Sequence, residues 1–370
     1  MFWFVFTLLV LILAFFGDER VTKDKTMRFF IRVVLVFVLS YAIALCSQGN
    51  DRDNYISFFK TFMNEYRIQD IWNWLGFQSD VMEPGFFLLA FICKNLGLSA
   101  VGFLLVVSLI TNALSVNIFY KFRYPILVFF LYIVSTYYLQ QSNLVRQMLA
   151  VSIGLYAMQY LAEKKWKQFL FMVFLAFIVH KTSLVLLLSL PFFFVKENNY
   201  KVFTIVLFLL WILSLYYIVF PIPLIQQISN LIIDTRYENY GNELVTLGLS
   251  EVHFSIMVNF FVAYFFMFTD KNKNNTYAYL LVIDCVFENL AFNALLLMRL
   301  ALYFMPVFVF YVPSLIMENK IMIKKQTFAV GTLLQFFVFF YYLRILINSR
   351  IINSFSQIGG YIGNLSEIFN

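Results

Sequence analysis

Charge is scarce in this chain of 370 residues: Asp, Glu, Lys and Arg supply 13% of it, against about a quarter in a soluble domain. Hydrophobic residues make up 62%, and the mean hydropathy is +0.80. A sphere of 43.7 kDa could not hide that much apolar surface and still face water, which excludes a cytosolic enzyme. Disorder is excluded too, because disordered chains are poor in apolar residues. Cysteine is scarcer still, with 3 residues. Cys46, Cys93 and Cys285 lie in or beside apolar runs without paired spacing, so there is neither a disulfide framework nor a zinc motif. A Gly-rich phosphate loop, H-E-x-x-H and G-x-S-x-G are all missing, as is any fixed-period repeat. Aromatics are abundant, with 48 Phe and 23 Tyr, as suits lipid-facing helices with interfacial belts. The chain reads as an all-α, polytopic integral membrane protein.

A helix needs about 20 apolar residues to cross the hydrocarbon. Apolar stretches at 2–16, 29–46, 99–118, 126–140, 144–161, 167–180, 183–195, 202–220, 252–269, 276–293, 297–317 and 327–347 predict a bundle of about twelve spans, several of them short. The stretch 86–96 is too short to cross alone and reads as a re-entrant or interfacial half-helix. The whole of 1–370 is expected to form a single transmembrane domain. Its first span lacks a basic n-region and a cleavage site, so it reads as an anchor rather than a signal peptide.

Basic residues set the orientation. Arg20, Lys23, Lys25, Arg28, Lys121, Arg123, Lys164, Lys165, Lys167, Lys196, Lys201, Lys271, Lys273, Lys320, Lys324 and Lys325 all fall in one set of short connections. That set is expected to be cytoplasmic. Topology thus accounts for the net charge of +7, and nucleic acid is not needed as a partner. The other face has the room: a first large outer loop at 47–98, a second at 221–251 and the tail 348–370, where acids also collect. Tyr55, Phe58, Phe59, Phe62 and Met63 recur at three- and four-residue spacing, the pattern of an amphipathic helix lying on a membrane. Leu224, Ile225, Ile228, Leu231 and Ile232 repeat it in the second loop. Such helices either frame a lateral opening for a lipid or simply cover the bundle.

Ionisable groups at membrane depth face a cavity or a partner. Asn143, Arg146, Gln147 and Ala150 are expected to share one face of a helix, with Arg146 lining a crevice or snorkelling to headgroups. His180 ends a span at the outer rim, beside Lys181. Asp284 and Glu288 lie four apart and Arg299 follows, giving either an ion-paired network, with Arg344 as a further candidate partner of Asp284, or a proton or substrate path. Glu83-Pro84-Gly85-Phe86 places a carboxylate at the start of the half-helix.

In order, these pieces resemble the EpsG/Wzy family of polysaccharide polymerases. The resemblance rests on Asp53 with Tyr55, on Glu83 to Phe86, on the R-Q-x-x-A helix of Arg146, Gln147 and Ala150, and on His180 to Ser183. The R-x-x-x-Y-F element of Arg299, Tyr303 and Phe304 adds a weaker match. The resemblance implies a lipid-dependent, metal-independent membrane glycosyltransferase without a cofactor. It would join undecaprenyl-diphosphate-linked oligosaccharide repeat units into O-antigen, capsule or exopolysaccharide at the outer face of a bacterial inner membrane. A chain-length regulator is the protein partner it implies, beside the membrane lipids. Growing charge on the leaving diphosphate suits arginine. Arg146 and Arg299 are the candidates for it, with Lys181 or Arg52 assisting. The attacking hydroxyl needs a base, for which Asp53 is favoured over Glu83 and His180. Tyr55, Asn143 and Gln147 are candidates for orienting sugar or phosphate. A lipid-linked oligosaccharide flippase and a membrane O-acyltransferase are the competing classes.

The topology is checked by impermeant thiol labelling of spheroplasts. Cysteines placed at Asp53 and Glu238 are expected to react and one at Lys165 to stay unlabelled. The reverse pattern would overturn the orientation.

Overall fold

A computed structural model describes residues 2–46, 52–62, 82–134, 137–195, 200–219, 276–291, 295–318, 320–323 and 326–329. The second outer loop, the 252–269 stretch, Arg344 and nearly all of 327–347 lie outside the described residues. The chain divides into two units. The first is Met1–Tyr156 with Phe174–Lys181 and Val309–Asn370, and the second is Ala157–Val173 with Thr182–Phe308.

The first unit opens with α1 (Phe2–Phe16) and α2 (Lys25–Ala44). Asp24 starts α2 by accepting the Met27 N–H at 2.7 Å, the usual service of an acidic N-cap. Basic residues sew up this corner. Arg20 grips Asp18 and donates to the Arg123 carbonyl. The Arg32 guanidinium lies 3.9 Å over the Tyr120 ring, while its Nε donates to the Gly17 carbonyl at 2.9 Å.

A short α3 (Arg52–Ser57) runs into a π-helical turn, Phe58–Phe62. Of the two readings of this pattern, a frame for a lateral opening or a cover on the bundle, burial of Tyr55, Phe58 and Phe59 in protein fits the second. Close ring partners explain the burial. Tyr55 meets Phe86 edge-on, and Phe59 stacks on Phe103 at 4.9 Å, contacts that lipid headgroups do not offer. Phe86 begins the expected half-helix, α4 (Pro84–Asn95), and Phe103 lies on α5 (Ala100–Phe119). Between these two helices Gly97 takes a φ of +73°, a left-handed turn that a side chain would oppose.

The 126–140 stretch is not one span. It forms α6 (Pro125–Val134), a turn, and the four-residue α7 (Gln140–Asn143) before α8 (Val145–Ala162). A buried neutral network supplies the reason. Asn112 Nδ2 reaches Ser40 Oγ at 3.2 Å and Gln141 Oε1 at 3.1 Å, while its Oδ1 accepts the Tyr132 hydroxyl at 2.8 Å. Gln141 also donates to Tyr132, and Tyr138 donates to the Leu39 carbonyl at 2.7 Å. Satisfying these side chains in an apolar interior outweighs continuing the helix.

In the second unit, α9 (Trp166–Val179), which begins there and ends in the first, follows α8 through a tight turn. Lys164 sits at φ 57°, and the Lys165 N–H reaches back to the Tyr160 carbonyl. Lys181–Phe194 is a 3-10 helix containing Pro191. Its buried Ser183, Leu186, Ser189 and Phe192 recur every third residue, as three residues per turn require. Next come α10 (Tyr200–Val219), α11 (Thr276–Ala291) and α12 (Leu295–Ala301), and then α13 (Met305–Glu318), which begins in this unit and continues in the first. The expected 297–317 span is therefore interrupted at 302–304. Pro306, lacking an N–H, belongs in the first turn of a new helix rather than inside a continuous one. In the first unit again, Lys320–Ile323 and Gln326–Ala329 pair as an antiparallel hairpin, so the start of the expected 327–347 span is extended.

The described chain is thus overwhelmingly helical. Three of its helices, α2, α5 and Tyr200–Ile218 within α10, are long and apolar enough to cross a membrane.

Replacing Asn112 with leucine, of similar volume, removes the donor to Gln141 Oε1 and the acceptor of the Tyr132 hydroxyl proton, while the bond from Gln141 to Tyr132 stays. Unsatisfied buried groups cost about 1–3 kcal/mol each, so Asn112→Leu is expected to destabilise the protein by about 3 kcal/mol. Thermal unfolding in detergent measures this, and an unchanged midpoint would rule the network out as a stabilising element.

Candidate functional site

The site is assembled from three chain ends within the first unit: the start of α4, the start of α8 and the end of α9. Glu83 is the N-cap residue of α4, with its backbone carbonyl accepting the Phe87 N–H at 3.0 Å. Its side chain does not cap its own helix and is spent elsewhere. Oε2 lies 2.5 Å from Arg146 Nη1, and Oε1 lies 2.7 Å from His180 Nδ1. The Lys181 backbone N–H also donates to Oε1, at 3.3 Å.

Arg146 sits one residue into α8. A cation there opposes the positive end of the helix dipole, so a carboxylate alongside is worth more than usual. Tyr55 completes this side, with its hydroxyl accepting from Arg146 Nε at 3.5 Å and its ring 5.9 Å from the guanidinium carbon. His180 follows the last residue of α9 and keeps that helix's bonding through its N–H to the Ala176 carbonyl at 2.8 Å. The side chains of Arg146, Glu83 and His180 are 16%, 13% and 5% exposed, so water screens their charges weakly.

Burial acts to raise the Glu83 carboxyl. The His180 hydrogen bond and the Arg146 charge outweigh it and hold the group at about 2, below its ordinary 4.5. Glu83 is therefore an anion at neutral pH and a weak proton acceptor. It orients the imidazole, because an Nδ1–H donating to a carboxylate makes Nε2 the basic nitrogen of the neutral ring.

The other expected site residues fall as follows. Asp53 is exposed on α3. Arg52 beside it turns to the Ala44 carbonyl, with Nη2 at 2.9 Å. The Lys181 side chain is exposed. Gln147 is buried next to Arg146 on α8. Asn143 does not share that helix. Leu144 breaks the chain between them at φ −106°, ψ 53°, accepting the Met148 N–H through its carbonyl while its own N–H returns to Gln140. The face expected from Asn143 to Ala150 therefore begins only at Arg146.

Arg299 is half-buried on α12 in the second unit. In that unit the Thr182 and Tyr303 hydroxyls pair at 3.0 Å. Asp284 is buried on α11, and its Oδ1 has no hydrogen-bond partner among the described residues. No three His, Cys, Asp or Glu side chains converge as a metal site requires, again among the described residues.

The sequence reading missed the Asn112 network. Its signal was present: Ser108, Thr111, Asn112 and Ser115 stand at i, i+3, i+4 and i+7 in an otherwise apolar span, one polar face of a helix.

The described chain thus combines long apolar helices with a buried Arg–Glu–His cluster. The EpsG family model matches residues 27–356, and the chain belongs to that family. No curated protein and no solved structure matches it. Family membership and the apolar helices together suggest a membrane protein with a polysaccharide polymerase-like, glycosyltransferase-like function.

The Glu83 pKa fixes the sign of a pH effect. Because it is lowered on folding, its contribution is fully present above about 4.5 and is lost as pH falls towards about 2. Glu83→Gln is expected to remove that acid limb and to cost about 3 kcal/mol at neutral pH. Unfolding midpoints measured in detergent from neutral pH downward check it, and an acid limb of undiminished size in the variant would refute the assignment.

Proposed function

We propose that this chain is a Wzy-type polymerase that elongates surface polysaccharide from undecaprenyl-diphosphate-linked oligosaccharide repeat units. It would work without a metal at the outer face of a bacterial inner membrane. In this reading the chain forms a single bundle of about twelve spans, the outer loops frame substrate entry, and a chain-length regulator is the expected partner. The observation that carries the proposal is the sharing of one carboxylate, Glu83, between Arg146 and His180. It puts a cation suited to diphosphate and a nitrogen base side by side.

The chemistry is a glycosyl transfer. An acceptor sugar hydroxyl attacks the anomeric carbon of the lipid-linked chain, and a new C–O bond forms. The bond from that carbon to the diphosphate oxygen breaks, and its electron pair leaves with undecaprenyl diphosphate. Arg146 stabilises the charge that grows on the leaving group. Its planar, multi-donor head matches phosphate oxygens better than a lysine would. The hydroxyl proton passes to His180 Nε2, while Glu83 holds Nδ1–H and steadies the imidazolium that results. This moves the base from Asp53, which the loop position favoured, to His180. Asp53 is exposed, whereas His180 is buried and oriented. Tyr55, through its contact with Arg146, and Gln147, through its place on α8, are assigned to orienting substrate. Lys181 and Arg52 are kept as candidate additional cations.

Purified protein is incubated with its cognate lipid-linked repeat unit and the products are sized. A ladder of lengthened chains is expected. Both Arg146→Ala and His180→Ala should reduce turnover by about 100-fold or more, while Asp53→Asn retains most of it. Movement of the substrate between leaflets without elongation would instead establish a flippase.

A further inference from the structure

Gly85, in the Glu83-Pro84-Gly85-Phe86 start of α4, has no role in the chemistry above. It occupies the second position of a helix, where alanine is the better helix former, and its φ is not left-handed. Local conformation therefore gives no reason for glycine here.

Packing does. A Cβ on Gly85 would stand 2.8 Å from the backbone oxygen of Ile178, 3.1 Å from its carbonyl carbon and 3.2 Å from its Cγ1. The nearest obstacle is backbone, which cannot swing aside as a side-chain end can. Reaching ordinary contact at 3.4 Å would require the two helices to part by about 0.6 Å. Ile178 lies two residues before His180, and Gly85 lies two residues after Glu83. The Glu83 to His180 bond, at 2.7 Å, and the Lys181 N–H bond, at 3.3 Å, bridge that same junction.

We propose that Gly85 is a positioning residue. Its missing side chain lets the first turn of α4 seat at backbone distance on the last turn of α9, and this contact sets the reach of Glu83 to His180. The catalytic part of this inference rests on the polymerase reading, whereas the geometric part does not.

Gly85→Ala separates the two because helix propensity and packing predict opposite signs. On propensity alone the variant is at least as stable as wild type. On the proposal, Glu83 loses its partners, its carboxyl returns towards 4.5, and the stability lost between about 4.5 and about 2 shrinks. Loss of stability unrelated to Glu83 would lower the midpoint equally at every pH and leave the size of the limb unchanged. In the double variant Gly85→Ala/Ile178→Ala the Cγ1 contact is gone while the carbonyl contact stays, so no recovery is expected. With the lipid-linked repeat unit as substrate, kcat should fall by about 10-fold or more, since a misplacement of about 1 Å can cost about 100-fold.

The same substitution placed on Glu83→Gln should add little further loss, since both act through one carboxylate. An undiminished acid limb, recovery in the double variant, or fully additive losses would each overturn the proposal. So would failure of Gly85→Ala to fold in both backgrounds, which would mean that glycine serves the fold at large. If the wild-type protein elongates nothing, the polymerase reading fails, and the acid limb still decides the role of Gly85.

Discussion

One carboxylate holds this site together. Arg146 is a cation largely withdrawn from water at the wrong end of a helix dipole, and His180 is a buried imidazole that needs a fixed tautomer. Neither condition is stable alone. Glu83 resolves both with its two oxygens, one for each partner. Because the three residues begin or end different helices, the same contacts that compensate charge also lock α4, α8 and α9 to one another. Ionic compensation and helix registration are here a single event.

Elsewhere in the first unit the interior is specified by neutral groups. Ser40, Asn112, Tyr132 and Gln141 exchange hydrogen bonds among α2, α5, α6 and α7. Amides and hydroxyls suit this task in an apolar medium, since they give direction without the desolvation cost of charge. Their consequence reaches the site through the chain. They fix α7, α7 ends at the Leu144 break, and Arg146 follows two residues later. The ionic and neutral layers therefore support each other in sequence as well as in space.

Much of the helical order was legible from hydropathy alone. The apolar runs at 2–16, 99–118, 144–161 and 167–180 correspond within a residue or two to α1, α5, α8 and α9. Hydropathy failed where polar packing or backbone chemistry interrupts an apolar run, as at the α6–α7 turn and before Pro306. Each member of the Glu83, Arg146 and His180 cluster was also visible singly, from its charge or its place at a helix end. Their contact was not, because pairs 63 and 97 residues apart leave no local periodicity. Asp53 is distinguished instead by its loop position alone. Tyr55 was read for its face on a surface helix, and only the rings of Phe86 and Phe103 reveal that this face points into protein. Gly85 was hidden for the opposite reason, since a glycine after proline already reads as a helix start.

The 3-10 helix after His180 also changes what a short apolar segment can accomplish. At about 2.0 Å per residue its fourteen residues extend about 28 Å, where an α-helix of that length would extend about 21 Å. The longer figure approaches the hydrocarbon thickness of a bilayer, about 30 Å. A stretch that looked truncated by residue count thus has nearly full reach, obtained by accepting poorer hydrogen-bond geometry. Inserting one residue there would carry everything beyond it by about 2 Å and a third of a turn, so the segment's length is a constraint in its own right.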